Sequence, residues 1–376
     1  MKPLRDFSHV RRVVIKVGTN LLSSDSGVNL GFIDDVCAQV ARIRKQGFQV
    51  VLVSSGAIGI GARMVSRTSR VQTVKLRQAC AAIGQPHLMH HYSTICAKHG
   101  IITSQILLTP EVFKNRRSYL NTRNAFETLL GLGVLPICNE NDCVSTTEIG
   151  NAFGDNDRLS ALIASKIDAD LLIILSDVEG LYSANPKLDA QACLIDEVPV
   201  VDDAIVSIAG EAGSSFATGG MRTKIDAVMI ASQAGCISVI ASGRREHVIE
   251  QIMNGDPVGT LFIPGARASQ RSRWILNAQP SGRILVDEGA VRALRNSKSL
   301  LPSGITAIEG SFPAGAVVMI NDIAKAVPSF DSSELRSIMG RHSRDIRDLT
   351  GADRRDVVAR PEDIVFLAEQ GRSEKP

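Results

Sequence analysis

The stretch "VVIKVGTN", Val13 to Asn20, combines an apolar strand pattern with one lysine close to the end of the strand. A run of β-branched residues like this is typical of a strand that is buried on both faces of a sheet. Desolvation of an unpaired ammonium group is costly. Lys16 must therefore either reach solvent at the strand end or meet an anionic group there.

The same pattern recurs through residue 265, with helix-period segments between the apolar runs. Further runs begin at residues 48 (FQVVLV), 100 (GIITSQILL), 133 (GVLPIC), 170 (DLLIILS) and 236 (CISVIAS). The clearest helices are one that starts after Asn29, a candidate cap, and one from Arg222 to Ala234. Strands that alternate with helices predict an α/β fold, here a three-layer αβα sandwich with a mainly parallel sheet over residues 1–265.

The sequence changes character near residue 265. A polar, basic connector, "PGARASQRSRW", is followed from Gly282 by short strand patterns with Gly and Pro turns. Two short charged helical stretches lie around Leu335 and Ile346. These features predict a second, small and mostly β domain over residues 282–365.

The composition is that of an ordinary globular protein. A net charge of +3 and an apolar fraction of 44% exclude disorder and a charge-driven nucleic-acid protein. The apolar runs fall far short of the roughly 20 residues that span a bilayer, and the N-terminus lacks an apolar signal core. We therefore expect no membrane association and a cytoplasmic location. The seven cysteines, which form no CxxC pair, are expected to be core residues in a reducing compartment.

Glycine-rich loops follow the first two predicted strands. These loops are "KVGTN" and "SSGAIGIG", Ser54 to Gly61. Glycines let backbone N–H groups approach an anion closely, so both loops are candidate phosphate cradles; the alternative is a tight strand-to-helix turn. Neither fits GxxxxGK[ST] or GxGxxG, which argues against the two best-known nucleotide folds.

Carboxylates and carboxamides cluster after the fourth strand. "NENDCV", Asn139 to Val144, and "FGDNDRLSA", Phe153 to Ala161, together hold four acids and three asparagines. Such groups can bind a metal, bind an ammonium group or cap a helix. Capping alone does not account for both clusters, whereas a site for a zwitterion and lysine ammonium groups does.

One further polar segment follows the fifth strand, and another precedes the helix from Arg222. These are "SDVEGLY", which begins at Ser176, and "TGGMRTK", Thr218 to Lys224. Cations are disfavoured in the first turn of a helix. They fit better if they face a bound phosphate, although a solvated surface lysine is the commoner case.

These six motifs, in this order and spacing, resemble the glutamate 5-kinases of the amino acid kinase superfamily, and the C-terminal module resembles their PUA domain. The resemblance implies the same three-layer fold. It further implies transfer of the γ-phosphoryl group of ATP to the side-chain carboxylate of L-glutamate, with Mg²⁺, as the first step of proline synthesis. It also implies feedback inhibition by proline and assembly into homodimers or homotetramers.

The resemblance also implies roles for individual residues. Lys16 would contact the transferred phosphate, Lys224 would lie on the nucleotide side, and Asp157 would orient both lysines. Ser55, Asp142 and Asn156 would bind glutamate. The nucleotide contacts would be Lys16, Ser176, Asp177, Thr218, Gly219, Gly220, Met221, Arg222, Thr223 and Lys224, and no side chain is assigned as a metal ligand. Lys16, Asp157 and Lys224 must then converge on one point.

Two other functions stay open at this stage. One is a kinase of the same fold that uses aspartate or N-acetylglutamate, although Asp142 suits an α-ammonium group that N-acetylglutamate lacks. The other is an RNA-binding protein that acts through its PUA-like module. Residues 282–360 hold 12 Lys and Arg against 10 Asp and Glu, so we expect no strong RNA binding.

Overall fold

The computed structural model describes residues 5–24, 27–65, 71, 73–144, 156–186, 188–210, 220–341 and 357–367. The chain divides into two compact units, one of residues 1–112 and 120–267, the other of residues 113–119 and 268–376. Sequence patterns carried no signal that segment 113–119 belongs to the second unit. The domain bounds 1–265 and 282–365 stay a prediction.

The first unit is built on an eight-stranded sheet in the order β5-β6-β4-β1-β7-β9-β10-β8. All neighbouring strands in it are parallel except the pair β9 and β10. Its strands, with a separate β2–β3 hairpin, are β1 Arg12–Val17, β2 Ser23–Ser24, β3 Gly27–Val28, β4 Gln49–Val53, β5 Thr103–Leu108, β6 Leu135–Glu140, β7 Leu171–Ser176, β8 Glu197–Val198, β9 Ile237–Ser242 and β10 Thr260–Phe262.

Helices cover both faces of this sheet. As far as residue 267 they are α1 Thr19–Leu22, α2 Leu30–Lys45, α3 Ala57–Met64, α4 Val74–Lys98, α5 Pro110–Lys114, α6 Arg116–Gly131, α7 Asn156–Lys166, α8 Asp203–Ile208, α9 Met221–Ser232 and α10 Val248–Met253. Helices α2, α4 and α10 share one apolar core with the sheet, while α7 and α9 pack together against the sheet, α7 on β1 and α9 on β9. The predicted αβα sandwich with a mainly parallel sheet is confirmed.

Local sequence signals account for the ends of the helices. The side chain of Asn29 accepts a hydrogen bond from the backbone N–H of Phe32 at 3.1 Å, so it caps α2 as predicted. Helix α9 begins at Met221, one residue before the predicted Arg222, and ends at Ser232 rather than Ala234. No helix in the described part of the chain is long and apolar enough to cross a bilayer.

Helices α3 and α4 touch through their backbones. A Cβ atom placed on Gly84 of α4 would lie 1.9 Å from the carbonyl oxygen of Ala57, and one on Gly61 of α3 would lie 1.9 Å from that of Cys80. Glycine at both positions is therefore a steric requirement, and it fixes α4 beside the loop that opens α3.

The second unit contains a five-stranded sheet in the order β12-β11-β13-β14-β15. Its elements are α11 Gln270–Asn277, β11 Arg283–Val286, α12 Glu288–Arg295, β12 Ile305–Glu309, β13 Val318–Ile320, β14 Ala324–Ala326, α13 Ser332–Ile338 and β15 Ile364–Phe366. The helical stretch predicted around Leu335 is α13, and the one around Ile346 lies outside the described residues. The indole N–H of Trp274 donates to the carbonyl of Phe113 at 3.1 Å, which ties segment 113–119 to this unit.

The cysteines only partly follow the expectation from sequence. Buried positions are held by Cys37, Cys80, Cys96, Cys138 and Cys236, as predicted. The prediction is wrong for Cys143 and Cys193, which are exposed because a turn and a loop present them to solvent.

Gly84→Ala should lower the free energy of unfolding by about 1–3 kcal/mol or more, because the new methyl group overlaps the α3 backbone. Gly131→Ala is the matched control, since it also lies in a helix but a Cβ there meets nothing within 4 Å. The control should leave stability unchanged or raise it slightly. Urea unfolding of both variants measures the difference, and equal stabilities would contradict the packing described.

Candidate active site

The side chain of Lys16 points away from the apolar core to which its neighbours on β1 belong. Val13, Ile15 and Val17 of β1 belong to the core shared with α2, so the alternation of side chains along a strand places Lys16 on the opposite face. This is the face against which α7 packs. Only 4% of Lys16 is exposed, so the ammonium group lies inside the protein near the carboxyl end of β1.

Asp157 and Lys224 meet Lys16 at this place. One carboxylate oxygen of Asp157 lies 2.5 Å from the Lys16 ammonium nitrogen, and the other accepts a hydrogen bond from the Lys224 ammonium group at 3.0 Å. Asp157 lies in the first turn of α7 and Lys224 in the first turn of α9, two helices that pack side by side. The convergence predicted for the three side chains is therefore present.

The three groups are buried together. Asp157 is fully buried, and Lys224, like Lys16, is 4% exposed. Buried charges are tolerated when they are paired and hydrogen-bonded. Two ammonium groups and one carboxylate carry a net charge of +1 together, and a positive site between two helix N-termini suits a phosphoryl group.

A second cluster, of polar side chains, lies at the ends of β4 and β6. The side-chain N–H group of Asn156 donates to the carbonyl of Ser54 (2.6 Å), the hydroxyl of Ser55 (2.9 Å) and the amide oxygen of Asn139 (2.9 Å). Asn156 is the first residue of α7, directly before Asp157. The structure thus joins two of the three predicted substrate residues to each other and to the lysine site.

Two side chains of α4 support this polar cluster, and sequence reasoning missed both. Gln85 accepts a hydrogen bond from the side-chain N–H of Asn139 at 2.8 Å, and the hydroxyl of Ser54 donates to that of Tyr92 at 3.1 Å. Burial raises the pKa of Tyr92, so its phenol stays neutral. Their spacing of seven residues, two helical turns on one face, was the available signal.

Asp142, the third predicted substrate residue, lies in the turn after β6 and is half-buried. Burial raises the pKa of its carboxyl group, and the positive charge of Arg77 partly opposes the increase. The strand β6 lies next to β4, so Asp142 belongs to the same sheet edge as Ser55.

The predicted nucleotide residues begin at the end of β7. The Ser176 hydroxyl donates to Asp177 at 3.1 Å, and the Asn20 amide donates to the other carboxylate oxygen of Asp177 at 2.9 Å. Burial alone would raise the pKa of Asp177, but these hydrogen bonds, one from its own backbone and the charge of Lys224 lower it below its usual range. Asn20, within the opening motif, was not assigned a role from the sequence.

The remaining predicted nucleotide residues lie at or before the start of α9. Thr223 donates to the carbonyl of Gly220 at 2.8 Å and lies 3.4 Å from Asp157, while Arg222 pairs with Asp226 at 3.2 Å. Met221 is the first residue of the helix. Thr218 and Gly219 lie outside the described residues.

The donor set at the lysine site favours an anion over a metal ion. Both carboxylate oxygens of Asp157 already contact ammonium groups. Among the residues described, no three His, Cys, Asp or Glu side chains come together in a way that could hold a metal ion.

The family matches agree with this architecture. Residues 11–242 match the amino acid kinase family, and residues 282–350 match the PUA domain. The first match covers more than half of the chain, so the fold and the site define an amino acid kinase with a C-terminal PUA domain.

Individual relatives specify the group within that family. The chain is 43% identical to the glutamate 5-kinase of Methanosarcina barkeri, with 95% of this chain and 97% of the relative aligned. It is also 43% identical to the glutamate 5-kinase of Trichlorobacter lovleyi, again over 95% and 97% of the two chains. The chain therefore belongs to the glutamate 5-kinases.

A solved structure supports the fold independently. Carbamate kinase from Giardia lamblia, bound to AMP-PNP, superposes with a TM-score of 0.51 at 19% identity. The match covers 69% of this chain and all of the carbamate kinase chain, and at this identity it bears on the fold alone.

Asp157→Asn should destabilise the protein by about 3–5 kcal/mol, because two buried ammonium groups lose the carboxylate between them. Denaturant unfolding of the full chain measures the loss. The double variant Asp157→Asn/Lys224→Met should recover part of it, since one of the two like charges is then removed.

The matched control is Asp226→Asn, which breaks the half-exposed pair with Arg222 and should cost less than about 1 kcal/mol. An Asp157→Asn loss no larger than the Asp226→Asn loss would show that the lysines do not depend on this carboxylate.

Proposed function

We propose that this chain transfers the γ-phosphoryl group of ATP to the side-chain carboxylate of L-glutamate, giving L-glutamyl 5-phosphate, the first step of proline biosynthesis. The observation that carries the proposal is the buried convergence of Lys16 and Lys224 on Asp157, beside the polar cluster around Asn156. The named activity of the relatives supports the choice of substrate.

The chemistry explains why cationic groups dominate this site. A side-chain carboxylate has a pKa of about 4.3, so the nucleophile is ionised at neutral pH and needs no general base. The carboxylate oxygen forms a bond to the γ-phosphorus while the bond to the ADP oxygen breaks, and no proton is transferred. The obstacle is repulsion between two anions, so catalysis requires positioning and charge stabilisation.

The three charged residues meet this requirement in different ways. Lys16, at the end of the central strand, would contact the phosphoryl group during transfer. Lys224, which lies near Asp177, would stabilise charge on the nucleotide side. Asp157 holds both ammonium groups in place and keeps both charged, because a carboxylate between them offsets their mutual repulsion.

Hydrogen-bond direction in the polar cluster suits an amino acid. Asn156 uses its N–H groups on Ser54, Ser55 and Asn139, so its carbonyl oxygen is left as the acceptor that can meet an ammonium group. The Ser55 hydroxyl accepts from Asn156 and keeps its own proton to donate to a carboxylate. Asp142 supplies the negative charge for the α-ammonium group of glutamate.

Nucleotide binding is proposed at Lys16, Ser176, Asp177 and residues 218–224. The magnesium ion is proposed to be held on the phosphates of ATP, since no three His, Cys, Asp or Glu side chains among the described residues come together to hold a metal ion. When bound, the ion neutralises phosphate charge.

We also propose that proline inhibits by occupying the glutamate site, and that the enzyme forms homodimers or homotetramers.

A coupled assay of ADP release with L-glutamate, L-aspartate and N-acetyl-L-glutamate tests the function directly. Turnover with glutamate alone is expected. Turnover with N-acetylglutamate but not glutamate would overturn the proposal, and tight RNA binding in a gel-shift assay without any turnover would favour an RNA-binding protein instead.

Lys224→Met should reduce kcat about 100-fold or more while the glutamate KM changes little, because the lost charge acts on the phosphate. Lys45→Met, which removes an exposed lysine at the end of α2, is the control and should keep wild-type kcat. Steady-state kinetics with both substrates varied supplies the measurement. A kcat within about twofold of wild type would remove Lys224 from the reaction.

As the pH is lowered, the glutamate KM should begin to rise at a higher pH than it would if Asp142 had the usual pKa of an aspartate. The reason is that burial raises the pKa of Asp142, and its protonated form cannot pair with an ammonium group. The Asp142→Asn variant should have a high glutamate KM at all pH values, with no further increase at acidic pH. The Asp177→Asn variant, on the nucleotide side, should keep the increase in glutamate KM at acidic pH and should have a higher KM for ATP. Loss of ATP affinity in Asp142→Asn would show that the two subsites were exchanged.

A further inference from the structure

Two buried thiols face each other away from the active site. The sulfur atoms of Cys37 on α2 and Cys96 on α4 lie 2.9 Å apart, although the residues are 59 positions apart in the chain. A disulfide bond is about 2.05 Å long, so the two sulfur atoms need to approach by only about 1 Å to bond. Both side chains are fully buried between helices that share the apolar core.

The two thiols are electrostatically unequal. The hydrogen bond between the two thiols and the positive charge of Arg44 lower the pKa of Cys96, against the opposing effect of burial. The same hydrogen bond, together with burial, raises the pKa of Cys37. Cys96 is therefore the better nucleophile of the pair, and Cys37 is the thiol that keeps its proton.

We propose that Cys37 and Cys96 are a modification site, at which a peroxide forms a reversible disulfide between α2 and α4. The Cys96 thiolate attacks a peroxide oxygen, the O–O bond breaks and hydroxide leaves, so that the sulfur becomes a sulfenic acid. The Cys37 sulfur then attacks the Cys96 sulfur, loses its proton and displaces water. In total two thiols and one hydrogen peroxide give one disulfide and two water molecules.

The position of Cys96 gives the oxidant a route to the pair. It lies in the last turn of α4, which ends at Lys98, and helix ends open more readily than helix centres. Hydrogen peroxide is close to water in size, so a brief opening of this turn is sufficient.

The cross-link would act on the helix that supports the polar cluster. Helix α4 carries Gln85 and Tyr92, and Gly84 locks it against α3. Oxidation would join this helix to α2 and restrict the unfolded chain, which stabilises the folded state.

Treatment of the full-length protein with hydrogen peroxide, followed by denaturation, alkylation and peptide mass mapping, tests the proposal. Two of the seven thiols should become resistant to alkylation, one peptide pair should contain Cys37 linked to Cys96, and dithiothreitol should restore both thiols. Retention of all seven thiols, a link between other cysteines, or Cys96 converted to a sulfinic acid without a link would overturn it.

Two variants and a stability measurement make the test specific. Cys80→Ala removes a buried thiol from the same helix and should still form the cross-link, whereas Cys96→Ala should form none. The Tm of the wild-type protein should rise on oxidation, and that of Cys96→Ala should not. A fall in the wild-type Tm, or an equal rise in Cys96→Ala, would contradict the proposed bond.

Discussion

The structure of the catalytic unit depends on one buried carboxylate between two ammonium groups. Asp157, Lys16 and Lys224 come from α7, β1 and α9, and each is at most 4% exposed. None of these charges could be buried alone at acceptable cost, because desolvation of an isolated ion outweighs the packing it gains. The ion pairs therefore fix the two helix N-termini beside the end of the central strand. The proposed site for phosphoryl transfer and the local stability of the fold thus rest on the same contacts.

The order of strands explains why the site lies at this strand. After β1 the chain forms β4, β5 and β6 on one side of it, with β6 between β4 and the edge strand β5, and β7 then begins the other side. In open parallel sheets, a ligand crevice forms where the strand order changes direction. The residues proposed to bind the substrate glutamate follow β4 and β6, and the first of those proposed to bind the nucleotide follow β7, so Lys16 lies between the two proposed subsites.

Helix α4 links the packing of the helices to the polar cluster. Gly84 lets its backbone touch α3, and Gln85 and Tyr92 on the same helix fix the orientation of Asn139 and Ser54. With Asn139 and Ser54 held in this way, the Asn156 amide group donates to them and to the Ser55 hydroxyl. The polar cluster is therefore already ordered for the ammonium group and the carboxylate that it is proposed to bind.

The amino-acid sequence was sufficient to predict the apolar strands, the Asn29 cap, the unusual lysine within an apolar strand and, from the alternation of strands and helices, the fold class. These follow from residue periodicity and from the conformational preferences of single residues. Only the folded chain shows that Gln85 and Tyr92 support Asn139 and Ser54, that Cys143 and Cys193 face solvent, that segment 113–119 joins the second unit, and that Cys37 faces Cys96. Each of these depends on which distant segments become neighbours. The seven-residue spacing of Gln85 and Tyr92 predicts that they share a helix face, but strand order and helix packing decide what that face meets.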